Sequence, residues 1–286
     1  MRLVIVGFGY SARAIAQALG PIEHLSVTAR SLEKVAVLRG EGFDAIRFDG
    51  KEVEPAFEQA LLGATHLLMS APPDEEGDPL INAAEDVLMR APALGHVAYL
   101  STVGVYGDHG GDWVDENSAL RPVSLRSRLR VIAERAWMIT ASNKKLNLGI
   151  FRLSGIYGPG RSALDNLKAG TARRIIKPGQ VFNRIHVGDI GAAVAAGLKQ
   201  PEKLQVFNLT DDEPAPPQDV VEYAARLMGL PVPPAIPFEE APLSPMGRSF
   251  YGENKRVSNA RIKAALGYTF RYPTYREGLD ALYAEV

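Results

Sequence analysis

The chain has 286 residues, enough to bury one large or two modest cores, and a formal net charge of -1. That balance gives no general attraction to nucleic acid or to an anionic membrane, and no apolar run approaches the length of a membrane span. There is no cysteine, which excludes disulfides, thiolate metal ligands and a cysteine nucleophile; the five histidines are scattered, so no metal site is expected, and a cytoplasmic protein is the expectation.

The first predicted strand starts at Arg2 and breaks at Gly7. Through Phe8, Gly9, Tyr10, Ser11 and Ala12 it gives way to a helical stretch that ends at Leu19. This order of strand, turn and helix suits a dinucleotide. Gly7 allows the sharp turn, Gly9 lets the backbone approach a pyrophosphate, and the small Ala12 lets helix and strand pack closely, with Tyr10 and Ser11 opening the helix toward the phosphates. The second strand, Leu25 to Ala29, ends in Arg30 and Ser31 where NAD-selective proteins usually carry an acid. A guanidinium and a hydroxyl suit a 2'-phosphate, so NADP(H) is favoured over NAD(H), and Arg13 is placed to add a second positive charge.

Further along come a helix from Leu32 to Gly40, a strand near Phe43 to Phe48 and a helix near Ala56 to Leu62. The strand Thr65 to Ala71 is stopped by Pro72 and Pro73, and a helix from Leu80 to Met89 follows. A fifth strand covers Val97 to Thr102, a long helix Ser124 to Ala141, and a sixth strand Leu148 to Leu153. Alternation of this kind predicts an α/β fold, a Rossmann-type doubly wound parallel sheet. Strand C-termini line the ligand crevice of such sheets, which adds Asp49, Ser70, Ala71 and Pro72 to the cofactor residues and places Ser101 and Thr102 in the same crevice. Beyond Ser154, glycine and proline become frequent. The expected division is a core over 1–155, rejoined by about 183–212, and a smaller C-terminal substrate-binding region made of 156–182 and 213–286.

Four ordered motifs then carry a resemblance. Ser101 to Asp108, Arg152 to Arg161, Arg184 to Ile190 and Phe207 to Asp211 resemble, in order and spacing, the extended short-chain dehydrogenase/reductases, the family of sugar-nucleotide epimerases and dehydratases. The G-x-G-x-x-A turn marks an atypical branch. The resemblance implies that Thr102 hydrogen-bonds a substrate carbonyl and that Tyr106, Tyr157, Arg161 and His186 contact substrate. It also implies a homodimer through the helices near 80–89 and 124–141, where Leu125, Leu129, Ile132, Ala136 and Ile139 form an apolar stripe, part of it expected to face the chain's own sheet.

The family's tyrosine and lysine, four residues apart, perform its proton transfer. Aligned on Pro122, Ser124 and Glu134, this chain carries Arg126 and Arg130 at those places. Arginine stays protonated at any working pH, so Arg126 cannot serve as general acid or base. It can bind or orient an anion, or stabilise charge developing on oxygen. The alternative is that the two arginines pair with nearby acids, Arg130 with Glu134 at i,i+4 spacing being the obvious case. Tyr106, His109 and His186 are the substitutes for the missing acid. His109 reads better as a mobile loop residue, and His186 as a hydrogen bond that fixes its own segment. The pair Tyr251 and Lys255 has the family spacing, but Gly252 and Asn254 argue against a helix there.

Two functions remain open. One is an NADP(H)-dependent oxidoreductase or epimerase/dehydratase-like enzyme acting on a polar, possibly anionic small molecule through a non-standard proton donor. The other is a non-catalytic NADP(H)-binding sensor or regulatory protein.

Overall fold

The structure, a computed structural model, describes residues 1–199 and 204–285. Its elements follow the alternation of the sequence: β1 (Arg2–Val6), α1 (Tyr10–Leu19), β2 (His24–Ala29), α2 (Leu32–Gly40), β3 (Asp44–Arg47), α3 (Pro55–Gly63) and β4 (His66–Met69). Then come α4 (Pro79–Arg90), β5 (His96–Thr102), β6 (Trp113–Val114), α5 (Leu125–Lys144), β7 (Asn147–Leu153), β8 (Gly155–Tyr157), α6 (Ala163–Lys168), β9 (Arg174–Ile176) and β10 (Arg184–His186). The rest is α7 (Val187–Gly197), β11 (Leu204–Leu209), α8 (Pro217–Leu227), β12 (Ala235–Pro237), α9 (Pro245–Phe250), β13 (Arg256–Val257), α10 (Ala260–Leu266) and α11 (Tyr275–Ala284). The chain divides into two compact units, one of Met1–Thr102, Leu125–Arg152 and Ile190–Phe207, the other of Val103–Ser124, Leu153–Asp189 and Asn208 onward.

The first unit is built on a seven-stranded parallel sheet of order β11-β7-β5-β4-β1-β2-β3. Its centre is apolar on both faces, and in β1 every residue after Arg2 is buried, as a strand covered from both sides requires. The register sets Leu3 beside Leu25 and His66, and Ile5 beside Val27 and Leu68. Strand order reverses between β1 and β4, which places the ends of those two strands at the topological switch point.

One face carries the core under α3, α4 and α5, with Phe57, Leu61, Leu80, Leu88 and Trp137 packed on Val4, Leu67, Val97 and Ile150. Asp78 starts α4 by accepting from the amides of Leu80 (3.0 Å) and Ile81 (3.2 Å), and its other oxygen accepts from the Trp137 indole at 2.9 Å. On α5 the inward residues are Val131, Ala133, Glu134, Trp137, Thr140 and Ala141. Leu125, Ile132 and Ile139 are exposed and Leu129 and Ala136 half-buried, so none of the apolar stripe at 125, 129, 132, 136 and 139 is buried in the sheet. On α7, glycine is required at 191, because a Cβ there would stand 2.6 Å from the carbonyl oxygen of Ala14 in α1.

Among the described residues the second unit has no large sheet. Its strands pair in parallel twos, β10 with β8, β12 with β9 and β13 with β6. An apolar cluster of Tyr157, Leu164, Val220, Ala224, Tyr275 and Leu279 packs α6, α8 and α11 together. Buried polar side chains do the rest of the joining. Asn183 donates to the Lys255 carbonyl (3.0 Å) and accepts from the Val257 amide (2.8 Å), while Asp189 accepts from the Tyr268 hydroxyl and the amides of Arg271 and Tyr272 at 2.7, 2.8 and 3.0 Å.

Candidate functional site

The turn after β1 has the geometry a pyrophosphate needs. Gly7 has φ of 87°, and a Cβ on it would lie 2.8 Å from the Ala71 amide nitrogen, so both conformation and space require glycine. Gly9 is the N-cap of α1 and no side chain caps that helix; a Cβ on Gly9 would meet no protein atom within 4 Å. Open space beside an uncapped helix N-terminus fits a phosphate group. The turn is held by a residue that sequence reading missed. Thr28, buried at the end of β2, accepts from the Gly7 amide at 3.0 Å through its hydroxyl, and its carbonyl accepts from the Phe8 amide at 3.1 Å. A threonine facing inward from an apolar strand was its one visible signal.

Around this turn the other cofactor candidates have different surroundings. Arg30 is exposed and, among the described residues, makes no hydrogen bond or ion pair. Ser31 is the N-cap of α2 and accepts from the Lys34 amide at 3.2 Å. Arg13 does not offer the expected additional charge, because it pairs with Glu41 at 2.7 Å over the Phe8 and Phe43 rings. Asp49 pairs with Arg47 at 2.9 Å and accepts from the amides of Lys51 and Glu52, and those amides hold its carboxyl below the usual range. The amides of Ser70 and Ala71 both donate to the Val6 carbonyl at 2.9 Å, which fixes the end of β4 beside the glycine turn, and Pro72 follows on the surface.

Thr102 ends β5, and Arg126 and Arg130 lie in the first turns of α5. Their environments differ. Arg126 is exposed, whereas Arg130 donates to the Tyr99 hydroxyl (3.0 Å) and the Leu100 carbonyl (2.7 Å) and so ties α5 to β5. The expected pairing of Arg130 with Glu134 is not made. Glu134 is buried and its carboxylate is taken by Arg152 of β7, at 2.7 and 3.1 Å, and by the Ser101 hydroxyl at 2.6 Å. That geometry wins because Arg152 presents a bidentate fork to a carboxylate already sealed from water.

In the second unit Tyr106 is buried and its hydroxyl donates to the Asn208 side chain at 2.7 Å, a packing environment. Tyr157 packs edge-on against His186, ring centroids 5.2 Å apart, and burial raises its hydroxyl pKa far above the ordinary value. The His186 Nδ1 accepts from the Gly188 amide at 3.1 Å, the local hydrogen bond expected of it, and burial pushes its pKa down to about 4. Arg161 is exposed, next to a two-way backbone bridge with Gly158. His109 is not on a loose loop. Its amide and that of Gly111 donate to the Asn254 carbonyl, and Lys255 reaches the Gly107 carbonyl at 2.7 Å. Tyr251 and Lys255 share no helix, since α9 ends at Phe250.

A conserved protein of unknown function from Silicibacter pomeroyi is 48% identical to this chain, with a TM-score of 0.90 over 99% of this chain and 98% of that one. A putative NAD-dependent epimerase/dehydratase from Methylobacillus flagellatus is 25% identical, with a TM-score of 0.72 over 99% and 98%. The chain has the fold of the epimerase/dehydratase-like short-chain dehydrogenase/reductases. No family model matches it. The 3-diazoavenalumate denitrifying reductase of a Streptomyces species is 30% identical over 165 residues, 53% of this chain and 51% of that protein, so the match spans about half the length of this curated relative. No helix among the described residues is long and apolar enough to cross a membrane.

Proposed function

We propose that the chain is an NADP(H)-dependent oxidoreductase or epimerase/dehydratase-like enzyme acting on a polar, anionic small molecule. The observation that carries the reading is the glycine turn, where open space at Gly9 meets an uncapped helix N-terminus beside the close-packed Gly7 and Ala71. A nicotinamide cofactor held there would supply or accept hydride. Gly7, Gly9, Tyr10, Ser11 and Ala12 would hold the pyrophosphate, and Asp49, Ser70, Ala71 and Pro72 would complete the cofactor site. Arg30, exposed and without a partner among the described residues, would grip a 2'-phosphate, with Ser31 able to donate its hydroxyl while it caps α2. Likeness to a putative NAD-dependent epimerase/dehydratase and to a reductase supports cofactor chemistry of this kind.

Thr102 hydrogen-bonds the reacting oxygen, and Arg126 orients negative charge on the substrate. Arg130, bound to Tyr99 and Leu100, positions the start of α5. With Tyr106 donating to Asn208, the proton would come from an ordered water. Calorimetry with both cofactors tests the reading. NADPH should bind more tightly than NADH, and Arg30→Ala should weaken NADPH alone by about 1.5 to 3 kcal/mol, the worth of hydrogen bonds to a charged group. Equal affinities of the wild type for the two cofactors would remove the NADP assignment.

The outward stripe of Leu125, Ile132 and Ile139 on α5 supports a homodimer built on that helix. Light scattering should show a dimer that Ile132→Asp converts to a monomer; a monomeric wild type at micromolar concentration ends that part of the proposal.

A further inference from the structure

Inside the second unit, one buried carboxyl group lacks the partners that such a group normally has. Asp211 is 1% exposed; among the described residues its Oδ1 accepts only from the Glu213 amide at 3.3 Å, and its Oδ2 has no hydrogen-bond partner. Buried ionised carboxylates ordinarily collect two or three donors, so this one is poorly served as an anion. In the protonated form, by contrast, Oδ2 becomes a donor. Across from it stands Arg184 of β10. The Asp211 amide and the Thr210 hydroxyl both donate to the Arg184 carbonyl, at 2.7 and 3.2 Å, which holds the two residues side by side.

Arg184 spends one nitrogen on structure. Its Nη1 donates to the Phe182 and Ala215 carbonyls at 3.0 and 3.1 Å, and no protein acceptor among the described residues meets Nε or Nη2. Those two nitrogens form the side-on fork that matches the two oxygens of a carboxylate. The guanidinium and the Asp211 carboxyl attract each other through space without closing an ion pair, and burial pushes the Asp211 pKa up to about 8 against that attraction. The groups facing Asp211 are Arg184 from β10, Tyr157 from β8, and Asp212 and Glu213 from its own loop. Asp212 is paired with Lys263 and Glu213 with Arg276, while Tyr251 and Tyr275 lie near Arg184. At neutral pH the polar groups on offer are therefore donors, in aromatic surroundings.

We propose that Arg184 and Asp211 form a binding pair for the carboxylate of a planar small molecule, the guanidinium fork holding both oxygens with the Asp211 carboxyl group beside it. The pair rests on the proposed enzyme reading only for its role as a substrate anchor. It names the anionic group of that substrate as a carboxylate.

Calorimetry on the full chain with benzoate, benzamide and inorganic phosphate tests the pair. Benzoate should bind about tenfold more tightly than its neutral isostere benzamide, as a charge-assisted fork predicts, and its affinity should fall above about pH 8. Asp211→Asn keeps a donor at that place, so it should retain benzoate binding and lose the fall above pH 8; Arg184→Gln should abolish binding. The wild-type probe series and the isosteric Asp211→Asn variant decide the matter even if Arg184→Gln does not fold. Benzamide binding as well as benzoate would mean an ionised Asp211, failure of both would mean that ordered water satisfies the pair, and tighter displacement by phosphate would mean a phosphate site; each overturns the inference. NADPH binding is measured on the same samples. If it persists without benzoate binding, only the carboxylate pair falls, and if it is absent, the cofactor reading falls instead.

Discussion

The two units reach stability by different routes. In the first, backbone ladders and apolar faces do most of the joining, and each strand's neighbours follow from the register of β1 with β2 and β4. In the second, short strand pairs are bound together by buried side chains such as Asn183, Asp189 and Asn259, which bond to backbone groups about 50 to 80 positions away. The first arrangement tolerates changes that keep volume and apolarity; the second depends on individual polar atoms, because a buried donor or acceptor left without a partner costs its full desolvation. The first unit nevertheless contains one strong polar exception, and that exception gives the largest expected effect.

Arg152 and Glu134 are a buried ion pair, each side chain almost wholly sealed from water. Removing one partner strands the other charge. Arg152→Met or Glu134→Gln should each cost about 3 to 5 kcal/mol, and replacing both with apolar residues of similar volume should recover more than half of the loss. Urea denaturation measures both. A single variant that loses less than about 1 kcal/mol would show that the pair is solvated and that the first unit has no polar keystone.

The corresponding test in the second unit is Asp189→Asn. Its carboxylate accepts from one hydroxyl and two amides, and the amide side chain cannot accept from all three. A loss of about 2 to 3 kcal/mol is expected, from bonds made to a charged group. Hydrogen exchange locates it. The amides of Arg271 and Tyr272 should exchange faster while those of β1 and β4 keep their protection; uniform acceleration in both units would erase the contrast between them.

The same contrast explains what was legible in the sequence. Strands and helices of the first unit were readable to within a few residues because apolar period and glycine placement record them directly, as at Gly7, at Leu32–Gly40 and at the strand that ends in Thr102. The glycine turn was legible for the same reason. The role of Thr28 and the partners of Arg152 and Ser101 were not, since nothing local distinguishes a polar residue that caps a turn or pairs across strands from one that faces solvent. Glu134 shows the limit well: helical spacing offered Arg130, and a fork from a strand eighteen residues later won. In the second unit almost every tie is of this long-range kind. The His109 loop read as loose because two glycines flank it, and it is pinned by Asn254 and Lys255, far away in sequence.

The smallest expected effect distinguishes the units by the sign of their response to pH. In the first unit the register of β4 with β5 sets His66 against His96, their rings stacked with centroids 4.5 Å apart, and His66 is pushed down to about 4 by burial, by the charge of His96 and by the chain's amino terminus. An unfolded histidine binds its proton from about 6.5, so between 6.5 and 4 the unfolded chain holds more protons than the folded one. The contribution of His66 is therefore present above 6.5 and lost as pH falls toward 4. Because the ring is about half exposed, solvent screening reduces the effect to about 1 kcal/mol. Asp211 in the second unit works in the opposite direction. Its folded pKa of about 8 stands above the unfolded 3.8, so its contribution is present below 3.8 and is lost as pH rises through 8. Unfolding free energies measured across this range should lose their rising acid limb in His66→Gln and their falling neutral limb in Asp211→Asn. A variant that left its limb in place would show that the group titrates alike in the folded and unfolded chain, and that the burial argued for it does not govern its proton.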